Sequence, residues 1–155
     1  MKAIILNKSR LMRSVLRHLC EERGFAVKEA GTRQKAIEQI RAAAPDLILT
    51  EETTCGPESL DFLRCCRNEA PREAVIVVVG LPELPSAERQ SAAIAGADYF
   101  LPKPFSAIQL DYILQLSGLE RRSCISACTS PDGVLPTILT VNSKSCIQLW
   151  EGCCV

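Results

Sequence analysis

The sequence lacks a net charge, a long apolar run and a second histidine. Lys plus Arg and Asp plus Glu each number 18 in 155 residues, so no overall field steers the chain toward nucleic acid or an anionic membrane. No stretch approaches the ~20 apolar residues of a membrane span, and the run at residues 3–6 is too short for a signal-peptide core. We therefore expect a cytoplasmic protein that binds neither nucleic acid nor membrane.

The single histidine, His18, lies beside Arg17 on a predicted helix. With no second histidine to share a site, we interpret it as a surface residue rather than a base or a metal ligand.

Cysteine is abundant, with nine in the chain. Four lie within helix or loop patterns, where a reducing compartment makes them small buried hydrophobes: Cys20, Cys55, Cys65 and Cys66. The other five crowd into the end of the chain: Cys124, Cys128, Cys146, Cys153 and Cys154. This change in composition predicts a boundary near Leu119, with one domain at residues 1–118 and a Cys-rich tail at residues 119–155.

Apolar segments alternate with amphipathic ones along the first domain. Strands are predicted at residues 2–6, 25–30, 46–50, 74–79 and 97–101. The run AVIVVV at residues 74–79 is typical of a central parallel strand covered on both faces. Predicted N-caps of the intervening helices are Ser9, Thr32 and Ser106, the last in a capping box with Gln109, and Gly24, Pro45 and Gly96 mark predicted ends. In the first helix, Met12, Val15, Leu16 and Leu19 are expected to face inward.

Five strands alternating with five helices predict a doubly wound α/β sheet. In such sheets the functional crevice lies at the carboxyl ends of the strands. The segments that reach this edge are Asn7-Lys8, Glu51-Glu52, Gly80-Leu81 and Pro102-Lys103-Pro104. In isolation, the paired carboxylates after the third strand suggest acid/base or metal chemistry.

Three separated segments carry a family resemblance: KAIILNKSRLMR, PDLILTE and AGADYFLPKPF. Together they resemble the response-regulator receiver domain over roughly residues 1–118. The resemblance implies a flavodoxin-like, five-stranded parallel sheet of order 2-1-3-4-5, with helices on both faces and a short irregular or hairpin tail.

In working members of the family, the resemblance implies an acidic pair that holds Mg²⁺ and an Asp that accepts phosphate from a histidine kinase. Here Asn7 and Lys8 replace the acidic pair, and Glu51 replaces the acceptor. The family lysine is retained as Lys103, and the following Pro104 matches the family's cis peptide, which aims that lysine into the pocket.

Two switch positions also follow from the resemblance. The family's phosphate-sensing Ser or Thr falls on Gly80, or on Val79 or Leu81 with a one-residue gap, and none of these has a hydroxyl. Phe100 matches the aromatic position whose ring turns inward when the pocket is occupied. The alternative for Phe100 is a strand residue that is simply packed.

These replacements leave three interpretations of the pocket. In the first, Glu51 pairs with Lys103, either alone or together with Lys8 as a second cation, and this pairing fixes one conformation. In the second, these residues have drifted at a dead site. In the third, Glu51 still accepts phosphate.

The tail shows little helical periodicity. Residues 137–141 and 145–150 suggest a short hairpin, which is marginal unless it packs on something. Cys124, Cys128, Cys153 and Cys154 are weak candidate Zn²⁺ ligands because the usual paired spacing is absent on the second side. A disordered or loosely packed tail is the leading interpretation.

Our leading functional hypothesis is a non-enzymatic signalling module without a cofactor, which binds a partner protein independently of phosphorylation. The partner would be a histidine kinase or a downstream effector. The resemblance places the partner surface from about Ser86 to Leu116, where a homodimer is the alternative. The alternative function is a conventional phosphorelay response regulator that uses Mg²⁺, and the third is a redox or zinc-responsive module acting through the tail cysteines.

Overall fold

The computed structural model describes residues 1–51, 56–81, 85–119 and 139–140. The elements alternate strictly over the predicted domain: β1 Lys2–Leu6, α1 Arg10–Glu22, β2 Ala26–Ala30, α2 Arg33–Ala43, β3 Leu47–Glu51, α3 Pro57–Glu69, β4 Val75–Gly80, α4 Ser86–Ile94, β5 Tyr99–Pro102, α5 Ala107–Leu116 and β6 Leu139–Thr140. Most of the tail lies outside the described residues, so the domain boundary near Leu119 stays a prediction.

The sheet has the order β2-β1-β3-β4-β5-β6. Its first five strands are parallel, which confirms the predicted doubly wound sheet of order 2-1-3-4-5. In the register, Glu51 lies opposite Val79 and Gly80 opposite Pro102. The carboxyl ends of the central strands therefore meet at one edge of the sheet.

The short strand β6 pairs antiparallel with β5, with Leu139 opposite Phe100 and Thr140 opposite Tyr99. This pairing was not predicted from the sequence, which suggested a hairpin within the tail. The other residues of that hairpin lie outside the described part of the chain. The outer edge of a sheet has backbone N–H and C=O groups without partners. Here β6 pairs with such groups at the outer edge of β5.

Side chains alternate along each strand and build one core on each face of the sheet. One core packs α2, α3 and α4 against side chains that include Ile48, Val78 and Phe100. The other packs α1 and α5 against side chains that include Leu49 and Val77. All six residues of β4 are buried, as expected for the central strand.

Helix starts agree with the predicted caps. The hydroxyls of Ser9 and Thr32 accept from the third backbone N–H of their helices, and Ser106 with Gln109 forms the predicted capping box. The prediction for Val15 was wrong, because its side chain is 44% exposed. The buried stripe of α1 instead follows Leu16 and Cys20, since the sulfhydryl of a buried cysteine serves as a small hydrophobe.

The AGAD segment is held by one arginine of α3. Arg67 donates to the carbonyl of Gly96 and to the carboxylate of Asp98, which also accepts from the backbone N–H of Ile76. Gly96 has a φ of +119°, and a Cβ there would lie 2.8 Å from the Cβ of Arg67. A side chain at Gly96 is therefore excluded by both backbone conformation and space.

Candidate functional site

Four strand ends converge on the predicted crevice. Asn7 follows β1, Glu51 ends β3, Gly80 ends β4, and Lys103 follows β5. The backbone N–H of Lys103 donates to the carbonyl of Gly80 over 2.8 Å, which continues the β4–β5 pairing one residue past the strand. This bond fixes the start of the loop that carries the lysine.

An ion pair between Lys103 and Glu51 occupies the centre of the site. The Nζ atom of Lys103 contacts Oε1 of Glu51, and the peptide bond between Lys103 and Pro104 is cis, as the resemblance implied. The two side chains are only 22% and 19% exposed. The predicted pairing of these residues is therefore present in the structure.

The charge state of this pair reflects two opposing effects. Partial burial lowers the pKa of Lys103, whereas the adjacent carboxylate favours the ammonium form because opposite charges stabilise each other. The site thus holds a carboxylate and an ammonium group in direct contact.

Asn7 and Lys8 replace the acidic pair, and the first is buried whereas the second is exposed. Asn7 is buried, and its Oδ1 atom accepts from the backbone N–H of Ser9 over 2.8 Å. Its Nδ2 atom has no hydrogen-bond partner among the described residues. Lys8 is exposed, and its side chain makes no ion pair within the described ranges. Lys8 is therefore not the second cation of the pair, because the chain leaves the sheet after Asn7 and carries Lys8 outward.

These residues do not fit the Mg²⁺ that the resemblance implies. Mg²⁺ needs oxygen ligands, usually including one or two carboxylates. The oxygen of Asn7 already accepts a backbone hydrogen bond, Glu51 is bound to an ammonium, and Lys8 has no oxygen in its side chain to offer a metal. Among the residues that the structure places, no group of three or more His, Cys, Asp or Glu side chains is arranged to hold a metal ion.

The switch positions lack a sensing hydroxyl. Val79 and Gly80 are buried, and Leu81 is 46% exposed. The hydroxyl of Thr50, one residue before Glu51 on β3, is fully buried, and its Oγ1 atom has no partner among the described residues. Sequence reasoning missed Thr50, although a polar residue in the apolar strand LILTE was an available signal.

Phe100 lies inward, with 3% of its surface exposed. The register places Thr50 opposite Val78, and Val78 opposite Phe100, so the three share one face of the sheet. The aromatic ring is therefore part of the core beneath α4, in the inward position that the family resemblance associates with an occupied pocket.

The described cysteines and the histidine show no reactive arrangement. Burial raises the pKa of the Cys20 thiol to about 12, so it is a neutral core side chain. Cys65 and Cys66 lie on α3, partly buried and buried respectively, and neither is in a disulfide. His18 is exposed and lies 3.3 Å from a carboxylate oxygen of Glu22 on the same helix, as expected for a surface residue. The candidate zinc ligands Cys124, Cys128, Cys153 and Cys154 lie outside the described residues.

In the part of the chain that the structure covers, no helix combines the length and the apolar character needed to cross a membrane.

Known sequences that resemble this chain agree with the fold and the site described above. The family model for the response regulator receiver domain matches residues 3–115. The KDP operon transcriptional regulatory protein KdpE of Escherichia coli (strain K12) is 31% identical over 129 residues, which cover 83% of this chain and 54% of that protein. The phosphate regulon transcriptional regulatory protein PhoB of Klebsiella pneumoniae is 26% identical over 121 residues, or 78% of this chain and 52% of that protein. The chain thus spans about half the length of these curated relatives.

Solved structures show the same fold. The chemotaxis protein CheY4 of Vibrio cholerae is 22% identical, with a TM-score of 0.66 over 75% of this chain and 97% of that one. A CheY-like receiver domain protein from Methanospirillum hungatei JF-1 is 17% identical, with a TM-score of 0.66 over 76% of this chain and 94% of that one. The sheet order, the cis peptide between the retained Lys103 and Pro104, and the match over residues 3–115 agree, and the chain belongs to the response-regulator receiver-domain family.

Proposed function

We propose that this chain is a receiver-like signalling module that binds a partner protein and whose conformation is not set by phosphorylation. It has no enzymatic activity of its own in this account. The observation that carries the proposal is the ion pair between Lys103 and Glu51 in a site whose acidic pair is replaced by Asn7 and Lys8.

The ion pair supports the proposal because it occupies the groups that phosphate chemistry would need. Glu51 is one methylene longer than aspartate, and its carboxylate already reaches the ammonium of Lys103. The retained lysine therefore has an anionic partner without any phosphoryl group. Transfer to Glu51 would also have to proceed without a well-bound dication to neutralise the moving charge.

The position of Phe100 supports a fixed conformation. Its ring is packed inward in the same structure that pairs Glu51 with Lys103. With no hydroxyl at residues 79–81 to report on the pocket, the ion pair provides a side-chain link between Glu51 and the β5 segment that carries Phe100. In this account Glu51 and Lys103 hold the arrangement that phosphate would otherwise induce.

Exposed apolar side chains support protein binding between Ser86 and Leu116. Ile94 on α4 is 75% exposed, and Ile108 on α5 is 66% exposed. Isolated exposed apolar residues are ordinary, but these two lie on the helices that flank β5. We place the partner, a histidine kinase, a downstream effector or a second copy of the chain, on this surface.

A conventional phosphorelay receiver is the second candidate function. The observation in its favour is that Lys103 and its cis peptide are retained and aimed at the residue in the acceptor position. It requires Mg²⁺ binding by a donor set that does not suit that ion.

Intact mass spectrometry tests the choice between the two functions. After incubation with Mg²⁺ and acetyl phosphate, a small phosphodonor, we expect the mass to remain unchanged, because Glu51 is bound by Lys103 and no acidic pair holds the metal. A receiver with an intact acidic pair, treated in parallel, controls for the donor. A phosphoryl mass that appears on the wild type and disappears in Glu51→Gln would refute the proposal.

A further inference from the structure

A second feature of the surface is a basic cleft between α1 and the start of α2, with a volume of about 520 Å³. Four cationic side chains line it, Arg10, Arg13, Arg17 and Lys35, together with a single carboxylate, Glu29. The whole chain has equal numbers of cations and anions, so this excess of positive charge is a local feature. We call these five residues the basic cleft.

Two of the arginines are ordered by the carboxylate. Arg13 donates from Nε to Oε2 of Glu29 over 3.1 Å, and Arg17 donates from Nη1 to Oε1 over 3.0 Å. The hydrogen bond from Arg17, followed by that from Arg13, holds the pKa of Glu29 below its usual range. Glu29 therefore stays charged and fixes both guanidinium groups, and Glu21 on α1 also accepts from Nε of Arg17 over 3.0 Å, so two carboxylates face these two arginines.

The two other cations have no such neutralisation. Arg10 and Lys35 are exposed, and within the described ranges neither side chain forms an ion pair or a hydrogen bond. They lie on opposite walls, Arg10 at the start of α1 and Lys35 in the first turn of α2. The cleft thus presents two cations, Arg10 and Lys35, that can bind a ligand. Beside them lie Arg13 and Arg17, which hydrogen bonds to Glu29 keep in place.

The arginines follow one side of α1. Residues three and four apart lie on the same side of a helix, so Arg10, Arg13 and Arg17 form a row. At 1.5 Å per residue this row is roughly 10 Å long, which matches about three residues of an extended peptide at ~3.3 Å each. Side chains in such a peptide alternate between its two sides, so a run of acidic residues presents carboxylates to both walls.

The cleft is joined directly to the strand-end site. Nη1 of Arg13 donates to the carbonyl of Asn7 over 2.7 Å and to the carbonyl of Lys8 over 3.2 Å. These are the residues that replace the acidic pair. A ligand in the basic cleft would therefore contact the same arginine that supports the loop after β1.

We propose that the basic cleft binds an acidic segment of a partner protein, with at least two Asp or Glu residues seated between Arg10 and Lys35. This inference rests on the proposed function, because it assumes that the chain acts by binding a protein. It adds a second contact surface, separate from the one between Ser86 and Leu116, and specifies the chemistry of the segment that occupies it.

A protein segment suits the cleft better than a nucleic acid. The lining residues include no aromatic side chain on which a base could stack. The cleft is short, and Glu29 in its floor repels a continuous phosphate backbone. Separate carboxylates can bind the cations on the walls and avoid Glu29.

Fluorescence anisotropy with a labelled peptide that carries four consecutive glutamates tests this inference. We expect saturable binding that weakens as salt rises, because the Debye length falls to about 8 Å at 0.15 M. The double variant Arg10→Glu/Lys35→Glu should bind roughly tenfold more weakly, since it reverses two exposed charges. Arg72→Glu, an exposed charge between α3 and β4, is the matched control and should bind within about twofold of wild type.

Three results would overturn the inference. They are the absence of binding by the glutamate peptide, equal binding by the wild type and the double variant, and tighter binding of a single-stranded oligonucleotide of equal charge, which would assign the cleft to nucleic acid. A glutamine peptide controls for binding without charge, and thermal unfolding of each variant controls for folding. None of these results bears on phosphoryl uptake by Glu51, so the inference and the proposed function can fail separately.

Discussion

Replacing Lys103 with methionine is expected to lower the free energy of unfolding by about 2 kcal/mol. The change leaves the carboxylate of Glu51, only 19% exposed, without its cation. Breaking a fully buried pair costs about 3–5 kcal/mol, and the remaining contact with water reduces that cost here. Urea denaturation with an unchanged m value measures the difference.

A double-mutant cycle shows whether the pair acts as a unit. The variant Glu51→Gln/Lys103→Met carries no charge at either of these positions, so we expect it to recover most of the stability lost in Lys103→Met. The stability deficit of Lys103→Met should also shrink as pH falls, because protonation removes the unpaired negative charge from a mostly buried site. Simple addition of the two single effects would mean that the residues have drifted at a dead site.

The second large expected effect is a gain of Mg²⁺ binding and of phosphoryl acceptance. The triple variant Asn7→Asp/Lys8→Asp/Glu51→Asp is expected to bind Mg²⁺ at least tenfold more tightly than wild type and to acquire a phosphoryl group from acetyl phosphate. The substitutions restore three carboxylates at the ends of β1 and β3. Calorimetric titration of Mg²⁺ and intact mass spectrometry measure the two gains.

The triple variant is measured in saturating Mg²⁺, because residue 7 is buried, with Asn7 1% exposed, and a buried carboxylate without a cation is costly. The amide Nδ2 of Asn7 has no partner to lose in the described structure, and an aspartate at residue 7 can still accept from the backbone of Ser9. Lys8 is exposed and gives up no ion pair. Shortening residue 51 frees Lys103 to meet an incoming anion.

Single substitutions separate the contributions to this gain. Glu51→Asp alone should stay inactive, since Asn7 and Lys8 still fail to hold the metal. If Glu51→Asp alone accepts phosphate as readily as the triple variant, the loss of the acidic pair is not what prevents the reaction. If the triple variant gains neither metal nor phosphate, a different feature of the site is responsible.

The fold was largely predictable because hydrophobic pattern and capping residues agree along the chain. The run AVIVVV identified the central strand, and Ser9, Thr32 and Ser106 identified helix starts. Strand ends were less accurate, since β3, β4 and β5 each extend one residue further than predicted, to Glu51, Gly80 and Pro102. These residue types have low strand propensity, and it is the register with neighbouring strands that retains them in the sheet.

The site was predictable only in part. The pairing of Glu51 with Lys103 followed from the family resemblance, and the structure contains it. The exposure of Lys8 depends on how the chain leaves β1, which no local pattern encodes. The basic cleft depends on the packing of α1 against β2, because Glu29 of β2 and Lys35 of α2 join the arginines of α1 only in the folded chain. The β5–β6 pairing is likewise a long-range contact without a local signal.

We propose that the ion pair between Glu51 and Lys103 replaces phosphate control and maintains one conformation. The most direct test is the amide ¹H–¹⁵N NMR spectrum of the wild type, recorded before and after addition of Mg²⁺ and acetyl phosphate. We predict that the signals of Glu51, Gly80, Phe100 and Lys103 do not move. Shifts of these signals on addition of the phosphodonor, absent in Glu51→Gln, would contradict the claim.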